Sequence, residues 1–236
     1  MLIELASPTT LAQLPRRMSR EAARGRPSPA VPRSGPSAPA REGRLLRDVL
    51  AEPGAASAMR ATGAAIRCLH AQPLGEGIPQ DIHGPSQQAA LLAYWLERLI
   101  WDAPCSYAAL GERARRVLEG MAELRTLPLR RIHGGLDDSQ VVVGSDAAVM
   151  LAERDPVTFG EPAIDLANLA VHVDIRVRRG GGDPALAASL RSALLNGYGV
   201  PSRWKRRLEI YEEAARLRLA CAEALGAHAG APGHHA

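Results

Sequence analysis

Residues 133–167 read HGGLDDSQVVVGSDAAVMLAERDPVTFGEPAIDLA, and the periodicity changes twice inside this stretch. Residues 141–143 and 147–151 are short apolar runs parted by Gly144-Ser145-Asp146, the pattern of two short strands joined by a tight turn. Gly160 and Pro162 punctuate the start of a helix, as turn chemistry and the preference of proline for a first helical position require. From Ile164 onward the apolar positions Leu166, Leu169 and Val171 mark that helix, with Asp165 among them. A carboxylate in such a setting is costly to bury without hydrogen-bond partners.

Outward from this stretch the chain reads as helical on both sides. Upstream, Leu45, Leu46, Val49 and Leu50 form one apolar face. After a Pro-Gly break at 53–54, Met59, Ala65, Ile66 and Leu69 form another. Residues 87–101 follow Pro85-Ser86 and place Leu91, Leu92, Trp95 and Leu99 at helical spacing, and residues 107–125 repeat the pattern. Downstream, residues 164–173, 185–195 and 203–225 are helical. The expected fold class is therefore mainly α with a short β-hairpin, an α+β unit. Trp95, Trp101 and Trp204 are expected in its core, and His70 and His172, on apolar helical faces, read as core histidines with satisfied ring nitrogens.

Residues 18–43 are rich in Pro, Ser, Gly, Ala and Arg and hold no large apolar side chain except Val31 and Met18. Such a segment buries too little surface to offset its conformational entropy. Three parts are expected: a disordered tail over 1–43, a folded unit over 44–226, and a second disordered tail over 227–236. The charge divides the same way. Residues 1–44 carry eight arginines against three glutamates, while residues 45–236 carry 21 basic against 22 acidic side chains. A near-neutral folded unit argues against nucleic acid as a partner. No apolar run approaches the roughly 20 residues that a bilayer requires, and the N-terminus lacks the features of a secretory signal. Three widely spaced cysteines, Cys68, Cys105 and Cys221, offer no zinc-site spacing and fit a reducing, cytoplasmic setting.

The segments flanking the hairpin resemble the aminoglycoside phosphotransferase family, relatives of the choline kinases and more distantly of the protein kinases. The family loop H-G/R-D-x-x-x-x-N, sometimes ending in Gln, aligns with His133 to Gln140, and its G-D/E-P-x-x-D-L-A segment aligns with Gly160 to Ala167. The resemblance spans about residues 44–225 and includes an L-H helix at Leu69-His70. It implies the helical lobe of a two-lobed, protein kinase-like fold, with ATP or GTP and Mg²⁺ as cofactors and an alcohol group as phosphoryl acceptor. In such kinases transfer depends on positioning and electrostatics: a loop Asp orients the hydroxyl, and an amide and a second Asp hold the metal.

At the positions that carry this chemistry the sequence departs from the pattern. Gly135 stands where the resemblance calls for the catalytic Asp. Of the solvated loop acids that follow, Asp137 is the candidate for a substitute base. Glu153 stands where a metal-binding Asp is implied, and with Gln140 and Asp155 it forms the candidate metal set; its extra methylene shifts the oxygens, whereas Mg²⁺ demands near-octahedral geometry at about 2.0–2.1 Å. His133 and Asp165 are implied to be structural anchors, Asp165 tying its helix to the loop. No strand lysine or small lobe is legible upstream, and the one lysine of the chain is Lys205. Three readings stand together: a phosphotransferase with divergent residues, a non-catalytic pseudokinase-like module, and a truncated or decayed copy. The second expects a protein partner or a second copy over the surface that the small lobe covers.

Overall fold

Gly63 and Gly197 permit a close approach of two helices. They lie where helix α2 (Ala55–Ala71) crosses α6 (Pro184–Tyr198). A Cβ on Gly63 would fall 2.2 Å from the Leu194 carbonyl oxygen, and one on Gly197 would fall 2.0 Å from that of Arg60. Only hydrogen at these two positions lets the backbones approach so far, which is why two glycines sit inside otherwise regular helices despite their cost to helix stability.

The computed structural model describes residues 43–74, 82–152 and 158–229, all within one compact unit, Glu42–Ala236. The expected tails lie outside the described residues, apart from Gly43 and the helical backbone at 227–229. The expected hairpin is present. Strands β4 (Val141–Gly144) and β5 (Val149–Leu151) pair antiparallel with Val141 opposite Leu151, through a turn in which Ala147 takes φ 58°. A third strand, β1 (Gly43–Leu45), adds to β4 ahead of the short helix α1 (Leu46–Val49), so the chain is extended at Leu45 where a helical start is expected.

A second sheet was not legible. It joins β2 (Ile82–His83), β3 (Arg130–Ile132) and β6 (Thr158–Gly160) in the order β2-β6-β3, with β2 parallel and β3 antiparallel to β6. The remaining helices are α3 (Pro85–Asp102), α4 (Pro104–Glu123), α5 (Pro162–Arg179) and α7 (Lys205–Ala229), the last after a single 3₁₀ turn at Ser202–Trp204. Proline opens α3, α4, α5 and α6, where its missing N–H costs nothing. Residues 162–171 of α5 are buried without a break, and the helix packs against both α6 and α7. Such all-round burial marks a central core helix, and it carries Asp165 into the interior.

Trp95 and Trp204 pack against this core. Trp101 does not: it is 79% exposed at the end of α3, because the chain turns at Ala103 into α4 before any element covers that face. Among the described residues no helix is long and apolar enough to cross a membrane.

Candidate functional site

The Asp165 carboxylate is wholly buried, and three donors converge on it. The backbone N–H groups of His133 and Gly134 donate to it at 2.7 and 2.9 Å, and the His70 ring donates from Nε2 at 3.0 Å. Nδ1 of the same ring lies 3.1 Å from the Tyr198 hydroxyl, within hydrogen-bond reach. Burial, reinforced by the Asp165 charge, pushes the Tyr198 hydroxyl up to about 12. Asp165 thus joins the central helix to the 133–140 loop and, through His70 and Tyr198, to α2 and α6. Gly134 takes φ +79° with a Cβ position only 2.7 Å from Thr158 Cγ2, so the loop can follow this path only with glycine.

Beyond Gly134 the loop closes on itself. His133 is buried and its Nε2–H donates to the Ala152 carbonyl at 2.9 Å, while the Ala152 N–H donates to the Gln140 carbonyl at 2.8 Å. The other nitrogen of His133, Nδ1, is buried and has no hydrogen-bond partner among the described residues. The Asp137 Oδ1 accepts from the Ser139 amide and hydroxyl, and Gln140 Oε1 accepts from the Asp137 amide at 3.0 Å. Gly135 carries no group that could act on a hydroxyl.

Asp138 departs from its reading as a solvated acid. It is 2% exposed and accepts from Arg176 Nε of α5 at 2.8 Å, while its carbonyl accepts from the Arg47 amide. The burial is tolerable because the guanidinium supplies the compensating charge. Arg176 is held more firmly protonated in return. A cavity of about 350 Å³ opens beside this pair between α5 and α7, with His172, Ile175, Arg179, Leu219 and Glu223 along it. His172 is half-buried, and burial pulls its pKa down against the opposing charges of Asp137 and Asp138. Both arginines of the cavity already hold a carboxylate, Arg176 that of Asp138 and Arg179 that of Glu223.

Two further polar clusters were not anticipated. Glu161, wholly buried between Gly160 and Pro162, accepts from the Leu127 amide at 2.8 Å, from the Tyr211 hydroxyl at 2.9 Å and from Arg207. Burial, with the Glu161 charge behind it, raises the Tyr211 hydroxyl. The signal for Glu161 was its place inside the quoted stretch. Arg218 donates to Gln88 of α3 and Asn168 of α5 at 2.9 and 2.8 Å, and burial lowers its pKa to about 10.

The candidate metal set lies only partly among the described residues. No group of three or more His, Cys, Asp or Glu side chains converges among them, and Gln140 Oε1 is already bonded to the loop. Glu153 and Asp155, the other two of the candidate set, lie outside the described residues.

No family model and no curated sequence matches the chain, but the arrangement of helices and strands matches solved structures. A choline/ethanolamine kinase family protein from Mesorhizobium loti superposes with a TM-score of 0.60 at 19% identity, over 88% of this chain and 68% of that one. The chain has a protein kinase-like fold of the choline kinase and aminoglycoside phosphotransferase type. The same fold is seen in an aminoglycoside phosphotransferase from Streptomyces rimosus (TM-score 0.50, 18% identity, 75% of this chain and 67% of that one) and in a glucosamine kinase (0.52, 20%, 79% and 51%). The kinase-like match reaches about half of the glucosamine kinase and two thirds of the other two.

Proposed function

We propose that this chain is a phosphotransferase-fold protein impaired in phosphoryl transfer that acts as a binding module. The observation that carries this reading is the polar inventory of the 133–140 loop. Gly135 has no side chain at the position where the base is implied, Asp138 is committed to Arg176, and Asp137 and Gln140 close the loop on themselves. General-base action needs a free acceptor within hydrogen-bond reach of the hydroxyl, and phosphoryl transfer draws its rate from such positioning and from charge stabilisation.

The intact buried networks favour a maintained module over a decayed copy. Asp165 and Glu161 each keep three donors, and mutation without selection breaks buried charged networks readily because most substitutions destabilise. On this reading a protein partner or a second copy covers the surface that a small lobe covers in two-lobed kinases. A glucosamine kinase of this fold has been solved with glucosamine, ADP and inorganic phosphate, which makes a nucleotide the first ligand to try.

The test is a calorimetric titration of the full chain with ATP and GTP, with and without Mg²⁺, beside a phosphate-release assay. Release no faster than in buffer is expected. Mg²⁺-dependent turnover that disappears in Gln140→Ala would overturn the proposal and make the chain an enzyme.

A further inference from the structure

Many arginines elsewhere on the surface sit beside carboxylates, Arg98 with Asp102, Arg113 with Glu213, Arg115 with Glu112 and Glu119, Arg178 with Asp174, although Arg125 and Arg203, also exposed, have none among the described residues. Around the crossing of α2 and α6 unpaired arginines gather on one face. Arg60 and Arg67 are exposed on α2, two turns apart and so about 10 Å along the helix axis. With Ser57 of α2 and Asn196 of α6 they line a groove of about 510 Å³. Arg130 extends the set from beside the groove, since it is exposed on β3 and β3 packs against α2. Among the described residues none of these three arginines has a carboxylate partner.

Sequence explains why. Residues 55–71, 124–136 and 184–198 contain not one Asp or Glu, so the elements forming this face offer no internal counter-charge. In a folded unit whose acids and bases nearly balance, an acid-free face with three unpaired guanidinium groups creates a local positive potential that favours an anionic partner. The surroundings narrow its chemistry. A nucleic acid site would be expected to add an exposed ring for stacking, and a membrane site an exposed apolar anchor. The exposed large apolar residues, Leu74, Ile82, Leu91, Trp101 and Met150, are not among the groove residues, and Tyr198 is buried.

We propose that the groove between α2 and α6 is a docking surface for an acidic segment of a partner protein, whose carboxylates pair with Arg60, Arg67 and Arg130. Arginine suits this role because its planar fork binds a carboxylate through two parallel hydrogen bonds. The groove residues Arg60 and Arg67 lie outside the 133–140 loop, so their variants test this surface apart from nucleotide turnover.

The test uses the full chain and a fluorescein-labelled octaglutamate peptide, read by fluorescence anisotropy at rising salt. Saturable, salt-sensitive binding is expected, weakened about tenfold or more in the double variant Arg60→Glu/Arg67→Glu and unchanged in Arg115→Gln, which removes an arginine outside the groove. Should circular dichroism show that the reversal disturbs folding, Arg60→Gln/Arg67→Gln is read in its place. Absence of saturable binding, or equal affinity in the groove variants, would overturn the proposal. So would tighter groove-dependent binding of duplex DNA or of phosphatidylserine vesicles, which would assign the face to those partners.

Discussion

Replacing Asp165 of α5 by alanine should cost this fold more than any single truncation in the 133–140 loop that it holds. The substitution removes one acceptor and strands three donors, the amides of His133 and Gly134 and the Nε2–H of His70, in a site with no solvent exposure. Each buried donor left unpaired costs about 1–3 kcal/mol. The three do not simply add, because removing the carboxylate also relieves its own desolvation; breaking a buried charged cluster from one side typically costs about 3–5 kcal/mol. For a unit of this size 1 kcal/mol corresponds to about 2–4 °C in melting temperature, so Asp165→Ala should melt on the order of 10 °C below the parent, with a matching fall in the urea midpoint. A second readout separates this chain of bonds from a generic loss of packing. The Asp165 charge helps hold the Tyr198 hydroxyl at about 12, so its phenolate absorbance should appear at lower pH in the variant. An unchanged melting temperature, or a Tyr198 titration that does not move, would refute the reasoning.

Two other outcomes follow from the packing. Gly63→Ala should destabilise by about 3 kcal/mol, at the upper end for an overpacked site, because the added Cβ meets the Leu194 carbonyl at 2.2 Å and the Tyr198 amide at 2.7 Å, both backbone atoms that cannot step aside; urea unfolding reads this directly, and a loss below about 1 kcal/mol would mean that the helices separate freely. The Tyr198 hydroxyl, raised to about 12 from an ordinary 10, makes the folded protein hold its proton longer than the unfolded chain does. Between those values the folded state binds more protons, so stability falls as pH rises from about 10 to 12. Tyr198→Phe removes this component, and its stability should fall less steeply than the parent's over that window; parallel curves would contradict the assignment.

Burial of a charge was legible in the sequence only where the neighbours contrasted with it. Asp165 stands in a run of apolar residues that recur at helical spacing, so an acid there draws notice, and the structure gives it three donors from the loop and from α2. Asp138 and Glu161 are just as deeply buried, yet Asp138 lies in a run of polar loop residues and Glu161 in a turn between glycine and proline. Their compensating partners, Arg176 and Arg207, follow 38 and 46 positions later, and no local pattern connects residues so far apart. The missing strands failed for a related reason. Ile82–His83 and Thr158–Gly160 are two and three residues long and pair with each other in parallel, so neither is long enough to show a period of two, and their pairing depends on a register that only the packed helices impose. Periodicity therefore recovers the elements that bury a face over several turns, while the loop chemistry depends on contacts that the helices create once they are packed. That difference bears on function. The residues of the 133–140 loop gain or lose chemical roles according to which distant partner reaches them, and Arg176, nine positions beyond the Gly160–Ala167 segment that carries the resemblance, is the side chain that commits Asp138 to structure.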